Sequence, residues 1–525
     1  MQEIELKFLV PQAQLKGLMR QAKVKSSQDI HMAAHYFDTR KQQLAKAGIG
    51  LRIRQEGDTW VQTIKAGGDG IAARLEHNAV LDNEHVQTML DNNNLMPDLT
   101  IYKETAIAPA LADFKLKKLA KNLTRQYVTD VQRTTRLLAN GKDEHSSSLE
   151  VAYDYGEIID GNDENQRQVI QEIEFELISG EIEFLFETAK IWCKRYKLCL
   201  STVTKAERGG LLINGQDYSA AVSADLAQLN ISKNSSVPTF IRAVVHNCLL
   251  QILPNSSAIA AGSDDHNHVL QLSMGLNRLS VALNTFSTFS EQINAEWHSI
   301  LRQTETLVDA YLELDYLMAH IEPTLQEHGA PSVDWTAEPE KMTNKPVDAV
   351  CANTFQLTLL ALIEFTMSDP CIEAESYTLA VDELPTILSK KYMELLETVQ
   401  SLDNKDANVP EYKALESNRL YPNDLTVSIL NKIYRQLDAL KYISEFAAPL
   451  YSPKKSKRWL KQLIKAQKSL EPYYYYLQCQ QRYQQQIATD ANALYGAGWF
   501  AAKLQSERKH CQKCLNRLKD SAIFW

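Results

Sequence analysis

The sequence predicts an α+β chain with a strand-rich N-terminal domain and an all-α domain behind it. Apolar and charged residues alternate with a period of two through roughly the first 213 positions, the spacing of strands. Beyond Thr239 that signal vanishes and long amphipathic helical patterns take over. A stretch rich in Ser, Asn and Asp, closed by Pro238, lies between them. At 525 residues the chain is too long for one typical domain. The domains are therefore placed at 1–213 and 238–525, with 214–237 as linker.

Each element follows from its pattern. Met1 to Val10 sets Glu3, Glu5 and Lys7 against Ile4, Leu6 and Phe8. Residues 51–54, 61–65, 148–154 and 168–177 alternate in the same way. Helices are predicted for Gln12–Lys23, Asn83–Leu90, Glu181–Tyr196 and Thr204–Leu212. In the second domain Pro323, Pro331, Pro346, Pro370 and Pro410 break the helical pattern. Two similar amphipathic stretches, Leu276–Phe286 and Leu437–Phe446, suggest a duplicated helical bundle.

Composition excludes several function classes. A net charge of −9 argues against a general nucleic-acid binder. The N-terminus has no basic segment leading into an apolar one, and the longest apolar stretch, 355–365, is too short for a bilayer. No membrane or nucleic-acid partner is expected. The eight cysteines are scattered, and the Cys511-x-x-Cys514 pair lacks the second pair that zinc needs. A reducing cytoplasm fits this usage. Charge is unevenly spread: 237–450 holds 13 basic and 29 acidic residues, whereas 451–525 holds 14 and 4.

Side chains at i, i+2 and i+4 share one strand face. Glu3, Glu5 and Lys7 therefore point together, as do Arg52 with Arg54, Arg74 with Glu76, and Glu172 with Glu174 and Glu176. For any one strand, a core-facing apolar side and a wet polar side is the ordinary arrangement. Taken together, acidic and cationic sets on different strands fit a barrel with its polar face inward. Carboxylates there would hold divalent metal, and Arg and Lys would hold phosphate oxygens.

The ordered set of motifs resembles the CYTH superfamily, the triphosphate tunnel metalloenzymes. The motifs are Glu3-x-Glu5-x-Lys7, His35-Tyr36-Phe37-Asp38-Thr39, Leu51-Arg52-Ile53-Arg54 and Gln62-Thr63-Ile64-Lys65, followed by Arg74-Leu75-Glu76 and Thr129-Asp130 with Arg133. Asp154 at a strand end, Glu172-Ile173-Glu174-Phe175-Glu176, and Ser201–Gly209 with Lys205 and Arg208 complete it. The resemblance implies an eight-stranded antiparallel tunnel that binds and hydrolyses inorganic triphosphate. It assigns Lys7, Arg52, Arg54, Lys65, Arg74, Arg133, Lys205 and Arg208 to the substrate. It assigns Glu3, Glu5, Glu76, Asp154, Glu172, Glu174 and Glu176 to metal, expected as two divalent ions, Mg2+ or Mn2+. Glu5 would act as general base, and Lys205 would stabilise the leaving diphosphate. Thiamine triphosphatase, nucleoside triphosphatase, adenylate cyclase and a non-catalytic polyphosphate scaffold share such a tunnel and remain alternatives.

The second domain resembles a CHAD domain, a helical module associated with polyphosphate, through Glu445–Tyr451 and the closing Ile523-Phe524-Trp525. That family's basic helix positions correspond here to Leu270, Ser273, Asn277, Arg278 and Ser280, then Asn431, Tyr434, Asp438, Ala439 and Lys441. Only Arg278 and Lys441 are basic. Polyphosphate contact is therefore expected only through the basic tail beginning at Lys454. His268, with Asp264, Asp265 and His266, is read as a helix-start residue before a shifted family histidine or a metal ligand.

Overall fold

The computed structural model describes residues 2–22, 26–68, 71–141, 146–335, 345–406 and 424–525. The end of the first predicted helix, at Lys23, and the break at Pro410 lie outside them. Among the described residues eight strands close an antiparallel barrel: β1 (Gln2–Leu9), β2 (Gln28–Thr39), β3 (Gly50–Glu56), β4 (Thr59–Ala66), β5 (Ala73–Leu81), β6 (Leu123–Ala139), β7 (Ser148–Asp160) and β8 (Arg167–Ser179). Their order around the wall is β1-β5-β4-β3-β2-β6-β7-β8, returning to β1. A two-residue strand, β9 (Cys199–Leu200), adds to β1 beside its contact with β8. Flanking helices are α1 (Gln12–Ala22), α2 (Gln43–Lys46), α3 (Asn83–Asp91), α4 (Leu116–Asn122), α5 (Ile182–Tyr196) and α6 (Lys205–Ile213). Because β7 runs on to Asp160, Asp154 lies mid-strand and is not the strand end expected.

The apolar strand faces point outward, into helices. Phe8 meets Phe175 edge-on at 5.6 Å, and Phe175 meets Trp192 of α5 at 5.5 Å. On the opposite wall Leu51, Ile53, Trp60 and Ile64 pack beneath Val86, Leu99, Tyr102 and Leu119 of the α3–α4 segment. Gln62 is the polar exception on this outer face. It is satisfied there, donating to Asp98 O (2.8 Å) and Tyr102 Oη (2.9 Å) and accepting from Asp98 N (2.9 Å). With the outside committed to the core, the charged faces turn inward. An eight-stranded barrel has room for side chains and one small ligand.

The chain forms two compact units. The first is 1–223 with 249–272 and 346–365, and the second is 224–248, 273–345 and 366–525. Within the first, Leu200 N donates to Gln356 Oε1 (2.8 Å), Asn353 Nδ2 to Cys193 O (3.0 Å) and Thr202 N to Ser257 Oγ (3.1 Å). The expected linker is pinned in part, since Asn255 exchanges two hydrogen bonds with Val222. His268 is buried between Ser263 Oγ and Ser219 O, both at 2.8 Å, and Asp265 caps Asn267 N (2.8 Å). Those bonds account for the Asp264–His268 run as a helix start.

The second unit is helical. Trp459 is its largest fully buried side chain, and Trp525 packs on it at 5.1 Å while donating to Ser389 Oγ (2.9 Å). Among the described residues no helix is long and apolar enough to cross a membrane.

Candidate active site

The barrel encloses a cavity of about 760 Å³. Of the residues expected at the site, Glu3, Glu5, Glu76, Glu174 and Glu176 line it with Lys7, Arg52, Arg54, Lys65, Arg74, Arg133 and Lys205. Asp154, Glu172 and Arg208 do not line it. Asp154 and Glu172 are buried behind Lys205, and Arg208 donates to Val169 O with Glu172 at 3.7 Å.

One end of the cavity is charge-balanced. Arg133 grips Asp154 with a two-pronged contact, Nε to Oδ1 at 2.7 Å and Nη2 to Oδ2 at 2.6 Å, and reaches Glu174 at 2.6 Å. Lys205 touches Asp154 (2.6 Å), Glu174 (2.9 Å) and Glu172, and Lys7 lies 3.2 Å from Glu174. Carboxylate oxygens of Asp154, Glu172 and Glu174 fall within 4.8 Å of one another. Burial alone would raise Asp154 and Glu174, but Lys205 with Arg133, joined at Glu174 by Lys7, holds both below the usual carboxylate range.

The other end is acidic. Glu5 on β1 is in register with Glu176 on β8, which is in register with Glu150 on β7. Lys65 contacts Glu3 at 2.7 Å and Glu76 at 3.1 Å. Burial, with Glu5 and Glu76 nearby, pushes Glu3 up to about 8. Glu76 is held down to about 2 against burial by Lys65 and a hydrogen bond from Glu3. Burial, with Glu5, Glu76 and Glu150 close, pushes Glu176 up to about 7, and burial likewise raises Glu150. Glu150 lines the cavity and was not among the residues predicted. Its signal was available, because Glu150 and Asp154 are four apart on one strand face.

The third wall is cationic. Arg52 and Arg54 both present a buried Nε without a hydrogen-bond partner. Arg52 Nη1 lies 3.3 Å from Tyr36 Oη, and Tyr36 stacks on Tyr127 at 4.8 Å. Although burial would raise it, Arg52, Lys205 and Arg54 push the Tyr36 phenol below its ordinary value. Burial and the like charges of Arg52 and Arg133 lower Arg54 to about 10, with Glu56 opposing them. Arg52, Arg54 and Arg133 thus crowd one wall, with Glu56 in contact with Arg54.

Lys205 is aimed by local structure. Thr204 caps α6 through Glu207 N (3.0 Å), which fixes Lys205 as the first helical residue. Gly209, one turn on, lets α6 lie against the Tyr127 ring, where a Cβ would come within 2.2 Å. Tyr127 Oη in turn donates to Ala206 O at 2.8 Å.

Residues 1–209 match the model of the CYTH domain, and residues 243–473 match that of the CHAD domain. The chain carries a CYTH domain followed by a CHAD domain. An inorganic triphosphatase from Haemophilus influenzae is 32% identical over 218 residues, 40% of this chain and 55% of that protein. The chain thus spans about half the length of this curated relative. A solved CHAD domain from the plant Ricinus communis is 17% identical, covering 57% of this chain and 96% of its own, with a TM-score of 0.43. A Hippeastrum protein described as an adenylyl cyclase candidate with a dominant triphosphatase activity is 15% identical. It covers 41% of this chain and 96% of its own, with a TM-score of 0.28.

In the CHAD domain both remaining basic positions are spent internally. Arg278 is buried, donates to Asn247 Oδ1 (3.0 Å) and lies over the Phe446 ring. Lys441 donates to Gln467 Oε1 (3.0 Å). Asp438, at another such position, is pushed up to about 6 by burial and by Glu471 and Glu445, against Lys441.

Proposed function

We propose that the CYTH domain hydrolyses inorganic triphosphate to pyrophosphate and orthophosphate with divalent metal. The observation that carries this reading is the pairing of two unmet needs in one cavity. Arg52 and Arg54 offer buried Nε donors without acceptors, and the Glu5–Glu176–Glu150 row sets three carboxylates side by side, more acid than the nearby Lys65 alone offsets. A polyanion carried with divalent cations meets both. The 32%-identical relative named an inorganic triphosphatase supports the choice of substrate.

The all-oxygen donor set of Glu3, Glu5, Glu76, Glu150 and Glu176 suits Mg2+ or Mn2+, and two such ions fit its charge. Bound there, the ions neutralise phosphate charge and favour ionisation of the attacking water. Arg52, Arg54, Lys65 and Arg74 grip the phosphate oxygens. Asp154, Glu172 and Glu174, matched by Lys7, Arg133 and Lys205, hold those cations in position rather than binding metal themselves. Glu5 accepts the proton of the attacking water, and Lys205 offsets charge on the leaving diphosphate.

The test is phosphate release from triphosphate, pyrophosphate, ATP, thiamine triphosphate and long-chain polyphosphate, each with Mg2+, Mn2+ or EDTA. Triphosphate should be turned over fastest, and EDTA should abolish release. Tight binding without turnover under every metal condition would make the domain a scaffold instead.

A further inference from the structure

We propose that Gln356 is a positioning residue for Lys205, holding from a helix outside the barrel the segment that carries Lys205 into the cavity. The proposal rests on the triphosphatase reading above. Gln356 lies within the stretch that matches the CHAD model, residues 243–473, yet it belongs to the first compact unit. It sits on helix Asn353–Met367, whose Phe355, Leu359, Leu360 and Ile363 are buried with it, and it is itself fully buried. A buried amide is costly unless both its ends are bonded. Here Nε2 donates to Val350 O (2.6 Å), and Oε1 accepts from Leu200 N (2.8 Å). The first bond fixes the side chain, and the second takes hold of β9.

Three successive amides leading to Lys205 are tied down. Leu200 N goes to Gln356, Ser201 N donates to Lys7 O (2.9 Å), and Thr202 N donates to Ser257 Oγ (3.1 Å). The partners alternate between a helix and β1, as the N–H groups of an extended segment do. Ser257 is buried and donates to Leu253 O (2.7 Å), so this anchor is fixed as well. Thr204 then opens α6, and Lys205 Nζ reaches Asp154 (2.6 Å) and Glu174 (2.9 Å). Gly209 against Tyr127 fixes α6 downstream of Lys205, and the bonds at 200–202 fix its approach upstream. Gln356 does not line the cavity, so its influence on turnover runs through this segment.

Steady-state hydrolysis of triphosphate with Mg2+ by the full chain, read beside Tm, tests this. Gln356→Met keeps the length of the side chain and removes both bonds. Lys205 acts on charge that develops as the diphosphate leaves, so kcat should fall while KM stays within about 3-fold of wild type. The expected loss is roughly 10- to 100-fold, the scale of a displacement of about 1 Å. Ser257→Ala frees Thr202 N and should lower kcat by about 3- to 10-fold. Asn353→Ala is the control for a loosened helix. Asn353 lies on the same helix and donates to Cys193 O of α5 (3.0 Å), so its loss should lower Tm and spare kcat. Wild-type kcat in a folded Gln356→Met, a rise in KM alone, or an equal loss of kcat in Asn353→Ala would each overturn the proposal. If Gln356→Met fails to fold, Ser257→Ala decides, and wild-type kcat there overturns it. A wild-type chain without turnover of triphosphate would instead overturn the triphosphatase reading, and this proposal with it.

Discussion

Glu5 on β1 lies directly opposite Glu176 on β8, and Glu150 on β7 lies directly opposite Glu176 from the other side. Like charges so placed destabilise a sheet, which makes the metal-free chain sensitive to pH. Glu3 at about 8 and Glu176 at about 7 stand above their ordinary 4.5. The folded chain therefore keeps protons that the unfolded chain releases, and stability falls as pH rises from about 4.5 through 8. In EDTA the Tm should drop between pH 5.5 and 8.5. Saturating Mg2+ should flatten that slope, with a thermal shift that grows with pH. A Tm in EDTA that is level or rising over this range contradicts the acidic row.

Glu150 and Asp154 share a strand face and should respond in opposite directions. Glu150→Gln removes one charge from the row, so stability in EDTA at pH 8 should rise by up to about 1 kcal/mol. Turnover should nevertheless fall at least about 10-fold, at a higher Mg2+ requirement. Asp154→Asn removes the buried carboxylate that Arg133 and Lys205 share, leaving two buried cations on Glu174 and Glu172, at a cost of about 3–5 kcal/mol. Denaturant melts of both variants, read beside steady-state rates, separate the two ends of the cavity.

Arg52→Ala and Arg54→Ala each remove a cation from the crowded wall. Each lost charge-assisted contact is worth about 1.5–3 kcal/mol, or roughly 10- to 150-fold in kcat/KM for triphosphate. Unchanged kcat/KM with a large loss of Tm would assign these arginines to structure alone.

Gly209→Ala reverses the usual helix preference. In an ordinary helix interior this change adds about 1 kcal/mol of stability. Here the new methyl meets the Tyr127 ring, so α6 must shift, carrying Lys205 with it. Lower stability together with a lower kcat is expected. A stabilised variant of normal rate would show that α6 can move without consequence.

Polyphosphate binding by the CHAD domain should be weak and salt-sensitive. Lys454, Lys455, Lys457, Arg458, Lys461, Lys465 and Lys468 are all exposed on one helix, whereas the side chains of Arg508 and Lys509 lie outside the described residues. Titrating long-chain polyphosphate into the Arg52→Ala/Arg54→Ala chain removes the cavity's contribution. Affinity should collapse between low and physiological salt, and on changing Lys454, Lys455, Lys457 and Arg458 to Gln. Salt-resistant binding that survives those changes would place polyphosphate elsewhere.

Much of the barrel was legible because its interior is polar. Glu3-x-Glu5-x-Lys7 and Glu172-x-Glu174-x-Glu176 alternate with apolar residues that face helices, so charge and strand period coincide. Glu150 is less legible because Ala152 interrupts the charged face between it and Asp154, although the same period of two reaches both. β6 blurs the alternation over its 17 residues, and only its Thr129–Arg133 motif stood out. Register is not written in any one strand, so neither the acidic row nor the Lys205 cluster could be assembled beforehand. The Asn255–Val222 bonds join distant positions that no local pattern connects.

The barrel strand that comes earliest in the chain is also the one that seals the barrel. β1 pairs with β5 through residues 2–4 and with β8 through residues 5–9, yet β8 begins only at Arg167. At typical elongation rates of 5–20 residues per second, β1 waits roughly 8 to 35 s on the ribosome for its partner. Glu3, Glu5 and Lys7 travel on that waiting strand, so the acidic end of the cavity takes shape late. Chaperone demand during synthesis should therefore fall on the Ile4, Leu6 and Phe8 face of the waiting β1.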